Sequence, residues 1–113
     1  METETLVVFC HVPDRQTANS LAHVLLDESL AACVNILPEI TSVYRWQGQI
    51  ETANEIPLII KTTRARYAAL EARVSALHPY SVPEIIALPV SAGLPAYLTW
   101  VAAETLSSPE AQA

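Results

Sequence analysis

Apolar and polar positions along this chain change period several times, and each change marks an element. Leu6 to Val12 is a β-branched and aromatic run, apolar on both alternating faces, the pattern of a central strand covered on both sides. Pro13-Asp14 then opens a helical period in which Ala18, Leu21, Ala22 and Leu25 share one side, ending near Ser29. A second extended stretch runs from Val34 to Trp46, interrupted at Pro38. Gln47-Gly48 supplies a turn and Ile50 to Lys61 returns, which makes a long hairpin. Pro57 has no N–H to give to a ladder, so its strand must carry a bulge or expose an edge there. Thr63 is the N-cap of a second helix whose apolar stripe is Tyr67, Leu70, Val74 and Leu77, stopped by Pro79. Glu84 to Val90 reads as a fourth strand, again apolar on both faces. A last short helix, about Leu94 to Leu106, carries Tyr97, Leu98 and Val101, and the small polar tail from Ser107 onward is expected to fray.

The order β-α-β-β-α-β is that of the ferredoxin-like α+β unit, an antiparallel four-stranded sheet with both helices on one face, here with an extra C-terminal helix. We expect a single domain over 1–113 with an ordered core of about 5–106. Two helices cover one face of a sheet whose strands are apolar on both, so another protein surface must cover the second. Identical chains related by closed rotational symmetry are the simplest supplier, and the unpaired edge of the long hairpin suits strand pairing with a neighbour.

Composition sharpens this picture. Of 113 residues, 51% are hydrophobic and 16% charged, far from a disordered composition and more apolar than one small core can absorb. The net charge is -6, and the six Lys and Arg are spread singly, which argues against a nucleic-acid partner. The acidic start Met1-Glu2-Thr3-Glu4 does not resemble a secretory signal, and no apolar stretch approaches the roughly 20 residues of a membrane span. These features predict a soluble, cytoplasmic protein. Cys10 and Cys33 lack the spacing of a zinc or redox motif and are expected to be reduced thiols.

Five short segments then fall into a recognisable order: Leu30-Ala31-Ala32-Cys33-Val34-Asn35, Tyr44-Arg45-Trp46-Gln47-Gly48, Lys61-Thr62, His78-Pro79-Tyr80 with Pro83-Glu84, and Tyr97-Leu98-Thr99-Trp100. Each is weak alone; together, over about residues 5 to 105, they resemble the CutA family. The resemblance implies a very stable homotrimer of ferredoxin-like subunits, cytoplasmic in bacteria and linked to tolerance of copper and other divalent cations.

Candidate chemistry collects at one end of the expected sheet. Cys10 lies near the end of the first strand, His78 near the end of the second helix, and Glu84 at the start of the fourth strand, which runs antiparallel beside the first. Thiolate, imidazole and carboxylate together would suit copper or zinc, so a divalent cation is the candidate cofactor, none being obligatory. The resemblance implies a copper-binding role for Cys10 and His78. Some relatives carry a second His where this chain has Leu77, which removes one candidate ligand and leaves weak binding as the expectation. Against the metal reading, Cys10 also fits as a small buried hydrophobe, His78 as a helix C-cap, and Glu84 as an ion-pair partner of Lys61 or an Arg. Cys33 reads as packing, and His23 as a surface residue. His11 points to the face opposite Cys10 by strand alternation, so joint chelation within one subunit is not expected.

Tyr44, Trp46, Glu51, Glu55, Lys61 and Tyr80 form a second constellation, suited either to a small-molecule cleft between subunits or to interface anchoring. With no nucleophile–base pair, Gly-rich phosphate loop or HExxH-type motif, and Gly at only two positions, the sequence does not read as an enzyme. Two functions stand side by side: a metal-binding tolerance protein, and a trimeric signalling or scaffold protein that takes a small molecule or partner in its inter-subunit clefts.

Overall fold

The structure, a computed structural model, describes residues 3–106; the tail expected to fray from Ser107 onward lies outside them. Strand β1 (Thr5–Val12) leads into helix α1 (Arg15–Asp27), followed by β2 (Cys33–Ile36), β3 (Ile40–Trp46), β4 (Gln49–Thr63), α2 (Arg64–Leu77), β5 (Ile85–Pro89) and α3 (Pro95–Glu104). The sheet is antiparallel, in the order β2-β4-β1-β5, with β3 paired to the far end of β4. Taking β2 and β3 as one interrupted strand gives the expected α+β arrangement with an additional C-terminal helix.

The interruption falls at Pro38, but the irregularity lies across from Pro57 rather than in its own strand. Ile36 sits opposite Leu58 and Ile40 opposite Glu55, so Leu37, Pro38 and Glu39 together face only Ile56 and Pro57. On the other side β4 keeps an unbroken register with β1, His11 opposite Pro57. Beyond Ile56, the part of β4 that pairs with β3 has left β1 behind, and the hairpin reaches outward with a free edge.

Local chemistry accounts for the turns. The Asp14 carboxylate accepts from the Thr17 amide at 2.7 Å and caps α1, and that bond holds its carboxyl below the usual range. The helix ends in a Schellman arrangement, Ser29 to Leu26 and Leu30 to Leu25, with Ser29 at φ 56° where glycine is commoner. Gln47 and Gly48 have φ of 51° and 82°, the paired positive values that a type I′ hairpin turn requires. Thr63 stands at the N-cap of α2, yet its hydroxyl does not cap the helix; it lies 3.4 Å from the hydroxyl of Thr105, the C-cap of α3.

The two faces of the sheet differ. Val8, Cys10 and Val12 of β1 and Ile56, Leu58 and Ile60 of β4 pack with Leu21, Leu25, Leu70 and Val74 of α1 and α2 in one core. Leu77 departs from the expected stripe and is 42% exposed, because it sits in the last turn of α2, where the helix has reached the end of β1. The second face carries Thr5, Val7, Phe9 and His11. α3 covers one end of it, through Thr105 on Thr63 and Tyr97 beside Cys33, while Ile86 and Leu88 of β5 stay 52% and 54% exposed.

Candidate functional site

Strand alternation at the end of β1 separates two neighbouring residues. Cys10 turns into the core and is 0% exposed, whereas His11 turns to the second face. Pro57 lies opposite His11, so Glu55, two residues earlier on β4, shares its face; Ile85 lies opposite Cys10, so Glu84 arrives beside His11 rather than beside the thiol. The result is one imidazole between two carboxylates, His11 Nδ1 standing 3.4 Å from Glu55 Oε1 and 3.5 Å from Glu84 Oε1. Glu55 is mostly buried, and its second oxygen accepts from the Tyr80 hydroxyl at 3.0 Å. Burial, and then this bond to Glu55, push the Tyr80 phenol up to about 12.

His78 is part of the scaffold beneath this group. Its Nε2 lies 2.7 Å from the His11 carbonyl oxygen, and its Nδ1 lies 3.1 Å from the Tyr80 amide nitrogen. A carbonyl only accepts and an amide N–H only donates, so the proton belongs on Nε2 and the Nδ1 lone pair is occupied. Both nitrogens are thus spent on tying the end of α2 and the loop after it to β1, with the His78 and Tyr80 rings 4.8 Å apart.

The expected set Cys10, His78 and Glu84 therefore does not meet at one point. Burial first, and the charges of Glu84 and Glu55 after it, push the Cys10 thiol up to about 12, which keeps it protonated at neutral pH. Among the described residues no three or more His, Cys, Asp or Glu side chains converge as a metal-binding group. Glu84 pairs with His11, not with Lys61 or an Arg. His23 is exposed, as its polar neighbours suggested.

The second constellation is brought together in part. Tyr44 and Trp46 of β3, Glu55 and Tyr80 line one open cleft of about 790 Å³, which also takes in His11, Glu84 and Ser81. Glu51, paired with Tyr44 nearer the hairpin tip, does not line it. Lys61 is far along β4, opposite Val7 and Cys33, and donates to the Asn35 side chain. His11 and Ser81 are cleft residues that the sequence reading did not select. The signal for His11 was present, since alternation placed it off the Cys10 face and its pairing with Pro57 brings Glu55 alongside. The cleft lining contains two carboxylates and one imidazole and neither Lys nor Arg, so it is an acceptor-rich, negative site with an aromatic wall.

The chain that carries this geometry matches a known family. The sequence profile of the CutA1 divalent ion tolerance protein family matches residues 6–104. The divalent-cation tolerance protein CutA of Thermus thermophilus is 48% identical over 99 residues, covering 88% of this chain and 96% of that protein. The solved structure of the T. thermophilus protein superposes with a TM-score of 0.88, over 89% of this chain and 98% of that one. The chloroplastic CutA of Arabidopsis thaliana is 45% identical over 97 residues, 86% of this chain but 53% of that protein, so this chain spans about half of its length. The Archaeoglobus fulgidus structure, described as a periplasmic divalent cation tolerance protein CutA, gives a TM-score of 0.87 at 35% identity, over 90% of this chain and 99% of that one. With the match running from β1 through the last residue of α3, this chain belongs to the CutA1 divalent ion tolerance protein family.

Proposed function

We propose that this protein serves in tolerance of divalent cations as a non-enzymatic homotrimer that holds copper or zinc weakly, through the outer cleft rather than through Cys10. The observation that carries the reading is the His11 imidazole between Glu55 and Glu84, on the face of the sheet that α1 and α2 leave uncovered. Nitrogen and carboxylate donors suit divalent ions, and because both Glu55 oxygens are already taken up by His11 and the Tyr80 hydroxyl, His11 and Glu84 are the two side chains left to ligate, which makes for low affinity. Exposed Ile86 and Leu88, together with the free edge of the outer hairpin, support assembly with like chains. None of the helices among the described residues is long and apolar enough to cross a membrane. Two unpaired thiols, Cys10 and Cys33, favour the cytoplasm for this chain, although the A. fulgidus relative is described as periplasmic.

Native mass spectrometry with and without copper and zinc tests this reading directly. A trimer mass with partial, readily lost metal occupancy is expected; a monomer, or tight metal retention abolished by Cys10→Ala, would overturn it. A second reading, a trimeric signalling or scaffold protein, is favoured by one observation, the size of the cleft and its Tyr44 and Trp46 wall.

A further inference from the structure

We infer that the cleft between the β3–β4 hairpin and the loop after α2 binds a small organic cation, a primary ammonium or guanidinium group on an aromatic or apolar body. The inference rests on the cleft-binding reading and shares Glu84 with the proposed metal site. Glu84 is the anionic contact, and Trp46 and Tyr44 form the wall against which the body packs.

Charge, size and the state of each acceptor carry the argument. The cleft of about 790 Å³ is of the size that holds an organic molecule, far larger than a bare ion needs. Its two carboxylates face one imidazole and no Lys or Arg, which disfavours an anion. A neutral apolar guest would strip water from Glu84 and give nothing back. The two carboxylates are not equivalent. Glu55 is mostly buried, with one oxygen at His11 and the other receiving the Tyr80 hydroxyl. Glu84 is 44% exposed, and its polar contact among the described residues is from Oε1 alone, which leaves Oε2 to accept an N–H from a guest. Tyr44 and Trp46 are half exposed on β3, and their ring faces attract a cation that their edges would not. A metal ion uses none of this aromatic surface, whereas an organic cation uses both the ring faces and the carboxylate.

Calorimetric titration of the full-length assembled protein at low ionic strength, with benzylammonium, benzyl alcohol and benzoate as probes, tests the inference. We expect benzylammonium to bind in the millimolar range or tighter, about tenfold more tightly than benzyl alcohol, with benzoate silent. Glu84→Gln should remove most of the preference for the amine over the alcohol, and Trp46→Leu should weaken both. Both residues are partly exposed, and sedimentation is expected to show the parent's assembly state for both variants. Equal affinity for amine and alcohol, an unchanged preference in Glu84→Gln, or no heat with benzylammonium would overturn the inference, the last being the result if a neighbouring subunit's side chain fills the cleft. Zinc or copper titrated alone separates the two readings: metal binding without amine binding leaves the tolerance reading and removes this one, and the reverse does the opposite.

Discussion

His78 holds the main chain of His11: its Nε2–H donates to the His11 carbonyl oxygen across 2.7 Å, joining residues 67 positions apart. His78 is mostly buried, and replacing it leaves that carbonyl and the Tyr80 amide without their partner. His78→Ala is expected to destabilise the fold by about 2 kcal/mol, read as a lower urea midpoint with an unchanged slope. His78→Ala should also loosen the cleft, because Tyr80 and His11 both lose a positioning bond. Stability equal to the parent would remove His78 from the scaffold and reopen its role as a ligand.

Tyr80 gives the protein a dependence on alkaline pH. Its phenol is pushed up to about 12, first by burial and then by the bond to Glu55, against the ordinary value of 10.0. The folded state holds this proton more tightly than the unfolded chain. That stability is fully present below pH 10.0 and is lost as pH rises from there toward about 12. Tyr67, pushed up to about 12 by burial and by its bond to Glu71, acts in the same sense. Phenolate absorbance during alkaline titration should show Tyr80 and Tyr67 titrating late, with Tyr97, raised by burial, also above the ordinary value. Tyr80→Phe should remove one of them and lessen the loss of stability over this range.

Cys10 is expected to be inert in the folded protein. Its thiol is fully buried and held in the protonated form, so a thiol reagent should reach it only after unfolding in guanidinium. Cys10→Ala should cost about 1 kcal/mol through lost packing and leave copper affinity unchanged. By contrast, His11→Ala and Glu84→Gln should reduce copper affinity. Loss of copper binding in Cys10→Ala alone would restore the thiol as a ligand.

Assembly is expected to depend on the uncovered face of β5. Ile86 and Leu88 are 52% and 54% exposed on the face shared with Phe9 and Val7. The double substitution Ile86→Ser and Leu88→Ser should shift sedimentation from trimer toward monomer, while far-ultraviolet circular dichroism keeps the secondary structure. An unchanged trimer would place the interface elsewhere.

Much of this molecule is written in short-range chemistry. The β-branched run of β1, the helical spacing of Ala18, Leu21, Ala22 and Leu25, and Gln47-Gly48 each act over a few residues, so periodicity and turn preference determined the elements, their order and the fold class. Alternation also settled that His11 and Cys10 face opposite ways. It did not settle which of them Glu84 would join, because that depends on the register of β5 against β1, where Ile85 meets Cys10. Periodicity put Leu77 on the apolar stripe of α2, where it is instead 42% exposed, because periodicity cannot say where the core ends along the helix. Lys61 shares a strand with Glu55, yet the rise along β4 carries it out of the cleft to Asn35. The thiol, imidazole and carboxylate that looked like a ligand set were separated by burial and by hydrogen bonds between distant segments. Only the packed sheet decides those, because one residue of register turns a side chain from the core to the cleft.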